Sequence, residues 1–257
     1  MNDSEKLQPT QEWIITFKPN PQARIRLFCF PYAGGSASVF RSWADEAPAE
    51  IELCAVQLPG RERRWREPRF TSLSDLIEPL ALGVHPFLNI PFAFFGHSMG
   101  ALISFELARR LRLKNAAQPL HLFVSGRRAP QLSDPKPPIH ALPDAEFIDS
   151  LRSLNGTPEE ILQNQDALPV FLPILRADFA INETYTYHIE EPLDCPIWAF
   201  GGTEDKEAGQ DALEPWDAQT DVQFAIRMFP GDHFFLHRHR AVLTRLIYHQ
   251  LMSSLKR

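Results

Sequence analysis

Three side chains in this chain have the types needed to make an alcohol nucleophilic: Ser98, Asp205 and His233. A serine hydroxyl reacts slowly at neutral pH unless a nearby base takes its proton, and that base needs an anionic partner to orient it. Ser98 stands in Gly96-His97-Ser98-Met99-Gly100, which fits the G-x-S-x-G pattern of a serine held at a sharp strand-to-helix turn. The apolar run Phe92-Ala93-Phe94-Phe95 before it has the length of a buried strand. The stretch after it carries Leu102, Phe105, Leu107 and Leu111 among small and charged residues, the pattern of an amphipathic helix. Gly96 and Gly100 remove side chains where the two backbones must pass closely. The helix would aim its unpaired N–H groups and positive dipole end at the hydroxyl. Asp205 follows the apolar segment 196–202 and His233 follows 223–229. The order serine, acid, histidine, each just after a strand, is the order this motif uses.

Other residues compete for these roles. Asp211 lies further into the segment after Asp205, Asp232 adjoins His233 and should point elsewhere, and Asp178 falls in a separate helical stretch, so Asp205 ranks first. His97 beside the serine reads as a structural or lining residue. His233 and His237 are four apart, a spacing able to hold zinc on a helix. No acidic or cysteine ligand accompanies them in a recognised pattern, Gly231-Asp232 reads as a loop, and no metal is expected. An oxyanion formed by attack of the serine needs two backbone N–H donors. One is expected from Met99 and the second from the glycine loop Tyr32-Ala33-Gly34-Gly35, near Ala33. A plain tight turn and a phosphate loop are the other readings of that loop. The full G-x-x-x-x-G-K-[ST] pattern is absent, which discounts phosphoryl transfer.

The elements that would position these residues alternate along the chain. Strands are expected at 13–17 (an edge), 25–30, 51–58, 92–95, 120–125, 196–202 and 223–229. Helices are expected at 37–47, 72–84, after Ser98, near 210–219 and over 240–255. The alternation implies an α/β fold with a mainly parallel, doubly wound sheet, in which ligands bind beyond the carboxyl ends of the strands. The loops at 31–36, 59–64, 96–100 and 126–128 all fall on that edge. The pattern breaks at Ala129-Pro130. Residues 130–143 carry five prolines, and 144–185 read as helical, with a start at Thr157-Pro158-Glu159-Glu160. The expected organisation is a core of 1–129 and 191–257 with a helical insertion, 130–190, as a lid over the site. Residues 1–12 read as a loose tail.

Composition excludes several functions. The 257 residues carry a net charge of −6, which argues against a general nucleic-acid binder. The polar start lacks the apolar stretch of a signal peptide, and no run approaches 18 apolar residues, so no membrane span is expected. The three cysteines, Cys29, Cys54 and Cys195, lie far apart in apolar runs and read as buried thiols of a cytoplasmic protein. No coiled-coil pattern points to assembly, and a monomer is expected. Arg61, Arg63, Arg64, Arg66 and Arg69, with Arg127 and Arg128, form a basic cluster on an acidic protein.

With these residues in place, the chain resembles the type II thioesterases, stand-alone α/β-hydrolases that serve polyketide synthases and nonribosomal peptide synthetases. The resemblance runs from about Leu27 to Phe235. It rests on FPYAGGSASVF, VQLPGRERR, FFGHSMGAL, FVSGRRAP, LNGTPEE, LRADF, the segment Gly201-Gly202-x-x-Asp205 and FPGDHFFL. It implies an α/β-hydrolase fold with a helical lid, Ser98 as nucleophile, His233 as base, Asp205 as orienting acid, and oxyanion donors near Ala33 and at Met99. The implied activity is hydrolysis of acyl groups from the phosphopantetheine thiol of acyl or peptidyl carrier proteins, with no cofactor of the enzyme's own. Arg61, Arg63, Arg64, Arg127 and Arg128 are then expected to meet an acidic carrier or the pantetheine phosphate. A solvated loop with Glu62 and Glu67 as local partners is the competing account of the basic cluster. A carboxylesterase or lipase on the same fold, or an accessory protein that binds carriers without turnover, are the alternative functions.

Overall fold

The computed structural model describes residues 13–154, 156 and 159–255. The tail expected at 1–12 and the helix start expected at Thr157-Pro158 lie outside the described residues. Strands β1 (Ile14–Ile15), β2 (Ile25–Phe30), β3 (Ile51–Val56), β4 (Phe92–His97), β5 (Leu122–Ser125), β6 (Ile197–Gly202) and β7 (Phe224–Phe229) form one sheet in the order β1-β3-β2-β4-β5-β6-β7. Only β1 runs antiparallel to its neighbour, and it lies at the edge, as its place in the sequence implied.

The near-continuous apolar runs follow from burial on both faces. Alternate residues point to opposite layers. Phe28, Phe30, Phe92 and Phe94 pack under helices α1 (Leu73–Val84) and α2 (Met99–Leu113). Leu27, Cys29, Ala93 and Phe95 pack on the other side, against Phe40, Trp43 and the C-terminal helix 240–254. Where a helix is expected at 37–47, the chain makes a 3-10 turn, Ala37–Phe40, and a short α-helix, Arg41–Asp45. Cys29, Cys54 and Cys195 are free and buried, and burial pushes the thiols of Cys54 and Cys195 up to about 12.

The sheet order places the site. From β2 the chain moves to β3 on one side, then returns to β4 on the other, so the loops after β2 and β4 diverge between neighbouring strands. That is the topological switch point where such sheets open a crevice. The glycine loop and the Ser98 turn leave from it.

The insertion is helical: α3 (Asp144–Leu154), a short helix Glu159–Leu162, and α4 (Leu168–Glu183). It has a small core of its own, Phe147, Leu151, Leu162, Leu172 and Leu175, while Ile181 near the end of α4 joins the main core. The last helix is α5 (Arg240–Ser254). Among the described residues, no helix is long and apolar enough to cross a membrane.

The tightest constraint is the crossing of α2 over the sheet. A Cβ on Gly100 would lie 2.1 Å from the carbonyl oxygen of Phe30, which is main chain in a central strand and cannot give way. Gly100→Ala should therefore cost about 3 kcal/mol, by overpacking against backbone. Urea unfolding checks this: the midpoint should fall with the slope unchanged, and a change within about 0.5 kcal/mol, typical of a neutral surface position, would contradict the crossing.

Candidate active site

Ser98 occupies the sharp turn between β4 and α2 with φ +53° and ψ −115°, a backbone conformation a side-chain-bearing residue rarely adopts. Such strain costs of order 1–3 kcal/mol and persists only where the surroundings over-determine it. Here they do. The Ser98 N–H donates to the Ser125 carbonyl at 2.7 Å, its own carbonyl accepts from Ala101 at 3.0 Å, and a Cβ on Gly96 would lie 2.1 Å from the Gly100 oxygen. Met99 is the first residue of α2, so its N–H has no acceptor within the helix.

Asp205 and His233 leave the ends of the paired strands β6 and β7 and meet at 2.9 Å, His233 Nδ1 to Asp205 Oδ2. The other oxygen, Oδ1, accepts the backbone N–H groups of Glu207 at 2.8 Å and Ala208 at 3.1 Å. Burial on its own would raise the Asp205 carboxyl. The bond to His233, its charge and the two N–H groups outweigh burial and hold it below the ordinary carboxylate value. An ionised carboxylate only accepts, so Nδ1 of His233 carries the proton and Nε2 of the neutral ring is free to take one. His233, Ser98 and Ala33 line one cavity of about 300 Å³, and Leu151, Leu175 and Phe179 of the insertion line it as well.

His97 lies beneath this site rather than in the cavity. It is fully buried, its Nδ1 is 2.8 Å from Ser125 Oγ, and its ring centre is 5.0 Å from that of His233. Burial, then the neighbouring His233 and His237, push its pKa well below the ordinary histidine value. His237 bonds instead to the Tyr32 hydroxyl at 3.0 Å. Among the described residues, no group of three or more His, Cys, Asp or Glu side chains is arranged to hold a metal ion.

The basic cluster requires a correction. Arg61 and Arg64 are not at the surface: each side chain is only 6% exposed. The 59–64 loop folds back under the glycine loop, and its guanidinium groups turn inward to serve carbonyls that the loop cannot pair by itself. Arg61 bonds Asp178 and the Gly35 carbonyl. Arg64 bonds the Gln57 carbonyl and Glu67 and lies 4.1 Å over the Trp13 ring. Neither is free to meet a carrier. Arg63 is exposed, and Arg127 and Arg128 line the cavity. Arg127 donates to Asn182 Oδ1, and Arg128 to the carbonyls of Ser133 and Glu207. Asp178, by sequence a rival to Asp205, is the partner of Arg61 instead. The signal for its actual place was a charged residue in the apolar stripe of a helix, between Leu175 and Ile181.

Comparison with known proteins agrees with this geometry. The family model described as Thioesterase domain matches residues 25–251. The gramicidin S biosynthesis protein GrsT of Aneurinibacillus migulanus is 49% identical over 245 residues, covering 95% of this chain and 96% of that one. Among solved structures, the RedJ thioesterase of the prodiginine biosynthetic pathway in Streptomyces coelicolor superposes with a TM-score of 0.84 at 38% identity, covering 90% of this chain and 91% of that one. The type II thioesterase BorB of the borrelidin biosynthetic cluster superposes with a TM-score of 0.85 at 34% identity, covering 94% and 98%.

Buried His97 also makes stability depend on pH. Its folded pKa is depressed, so below the unfolded value of about 6.5 the unfolded chain binds a proton that the folded chain refuses. Stability is full above that value and falls as pH drops through it, by up to about 1.4 kcal/mol per pH unit for one proton. His97→Asn, which keeps a polar atom near Ser125, should remove one proton's worth of this slope. Chemical denaturation of both proteins between pH 7 and pH 5 tests it. Parallel slopes would mean that His97 takes up its proton in the folded state.

Proposed function

This chain belongs to the thioesterase family, and on that premise we propose that it hydrolyses acyl groups from the phosphopantetheine thiol of carrier proteins, clearing stalled or mis-primed chains for a polyketide or nonribosomal peptide synthase. The observation that carries this reading is the meeting of a strained Ser98 and an Asp205-oriented His233 on one cavity.

The reaction follows from these groups. Ser98 Oγ attacks the thioester carbonyl while His233 Nε2 takes its proton, and Asp205 stabilises the imidazolium that results. Negative charge develops on the carbonyl oxygen between the N–H groups of Ala33 and Met99, which need no reorganisation to receive it. The leaving thiol has a pKa of roughly 8.5, so it departs more readily than an alkoxide. Water activated by His233 then releases the acid and restores Ser98. The substrate brings its own phosphopantetheine, and the enzyme needs no cofactor. The insertion acts as a lid: with Leu151, Leu175 and Phe179 on the cavity wall, it shields the acyl group from bulk water. Arg63, exposed at the same sheet edge, and Arg128 at the cavity are the groups available to an acidic carrier or the pantetheine phosphate.

Two sets of measurements test the reading. Purified protein should release acid from acyl carrier protein and acyl-pantetheine thioesters in preference to matched oxygen esters. Ser98→Ala should lower kcat on the order of 10⁶-fold, and Asp205→Asn about 10⁴-fold through the wrong histidine tautomer. Preference for oxygen esters, or turnover that survives loss of Ser98, would overturn it. For the carrier contact, Arg63→Glu should raise KM for acyl carrier protein several-fold and leave small acyl thioesters unchanged, in proportion to the lost charge attraction. Equal effects on both substrates would remove Arg63 from the docking surface.

A further inference from the structure

The charge least expected from the sequence is Asp178. Its side chain is fully buried on α4, yet it does not line the cavity. Its Oδ1 accepts from Arg61 Nη2 at 2.7 Å, and its Oδ2 accepts from Arg61 Nη1 and from the Gly34 N–H, both at 2.7 Å. Arg61 Nη1 also donates to the Gly35 carbonyl at 2.9 Å. The insertion, the glycine loop and the 59–64 loop thus converge on one ion pair. Desolvating such a pair costs about as much as it returns, so stability is a weak reason to keep it.

The pair grips the loop at the peptide that decides its shape. The Gly35 N–H donates to the Tyr32 carbonyl at 2.9 Å, closing a four-residue turn, and Gly34 at its third position has φ +77°. That is the mark of a type II turn, which differs from type I by a flip of the central peptide. Here the central peptide is Ala33–Gly34, and its N–H is the one Asp178 accepts. The preceding peptide is trans, so the Ala33 N–H points opposite to the Tyr32 carbonyl. That carbonyl points into the turn; the Ala33 N–H therefore points out of it, and Ala33 lines the cavity with Ser98.

We infer that Asp178 and Arg61 are positioning residues for hydrolysis: together they clamp the turn at Gly34 and Gly35 and so hold the outward-facing Ala33 N–H in place for the oxyanion. The inference rests on the reading of Ser98 as nucleophile and Ala33 as donor. Each partner has a distinct task. Asp178 supplies the acceptor that anchors the Gly34 N–H, next in the chain to the Ala33 donor. Arg61 balances the charge of a carboxylate bonded to Gly34, the residue after the Ala33 donor, which unbalanced would oppose negative charge developing at that donor. Because Asp178 is carried by α4, the insertion sets one of the two donors as well as covering the site.

The test uses the full chain with an acyl-pantetheine thioester and with a trifluoromethyl ketone analogue, whose carbonyl carbon bonds reversibly to Ser98 Oγ as the hydroxyl proton passes to His233 Nε2, the C=O π pair becoming the negative charge on its oxygen. Asp178→Ala should lower kcat about 100-fold, the scale of losing one oxyanion donor, and raise Ki for the ketone by a similar factor. KM should move by less than about threefold, since the group acts in the transition state. Asp178→Asn keeps an acceptor of the same shape and should lose less, about 10-fold on both readouts. Should the alanine variant fail to fold, the asparagine variant decides. Thermal melting identifies the folded samples. Folded variants with unchanged kcat and Ki, or with a raised KM and unchanged kcat, would overturn the inference. Ser98→Ala separates it from the reading beneath it. If that variant retains turnover, both fall; if it is inactive while Asp178→Asn matches the parent on both readouts, only this inference falls.

Discussion

Three backbone segments touch where α2 begins. The first turn of the helix crosses β4 so closely that neither Gly96 nor Gly100 has room for a methyl group, and the same turn rests on the carbonyl of Phe30 in β2. Ser98 cannot relax from its positive φ without lifting the helix off both strands and breaking its N–H bond to Ser125. Packing free energy from the surrounding core, with Leu102, Phe105 and Leu107 all buried, offsets a strain of a few kcal/mol at one residue. The strain holds the hydroxyl at the apex, and the sheet order puts that apex at the switch point.

The electrostatic surroundings of His233 are divided between its two sides. One nitrogen is tied to Asp205, whose carboxylate stays ionised because its second oxygen is also satisfied, by Glu207 and Ala208. Behind the ring lies His97, with centroids 5.0 Å apart. A charged His97 would oppose any positive charge on the His233 ring. Burial, with Ser125 as its partner, holds the pKa of His97 well below the ordinary histidine value, so His97 adds no positive charge behind the His233 ring.

Much of this was legible in the chain. Strand runs such as IRLFCF and the Gly96–Gly100 turn carry their structure locally: alternation, glycine and apolar length are properties of a few adjacent residues. The placement of Asp205 and His233 after β6 and β7 followed from the same signals. The failures share one cause. Arginine in a polar loop is usually solvated, so Arg61 reads as surface charge, but its partner is 117 positions away on another element. Arg64 and Trp13 likewise find each other only through tertiary packing. No local pattern encodes such pairings. The nearest thing to a clue was Asp178 interrupting the apolar stripe of α4, which marks a buried charge without naming what satisfies it.

The separate core of the insertion has a consequence for how proteins of this design diverge. Phe147, Leu151, Leu162, Leu172 and Leu175 pack mainly with one another, so the helical segment is close to a module that can be retuned piecemeal. Substitutions at Leu151 or Phe179 reshape the cavity wall while the strands that carry Ser98, Asp205 and His233 stay undisturbed. Acyl preference can drift on one part of the chain while the chemistry is inherited intact on another. Asp178 sets the limit of that freedom. A transplanted insertion must bring its own carboxylate to Arg61, or the recipient is left with a buried, unmatched cation under its glycine loop.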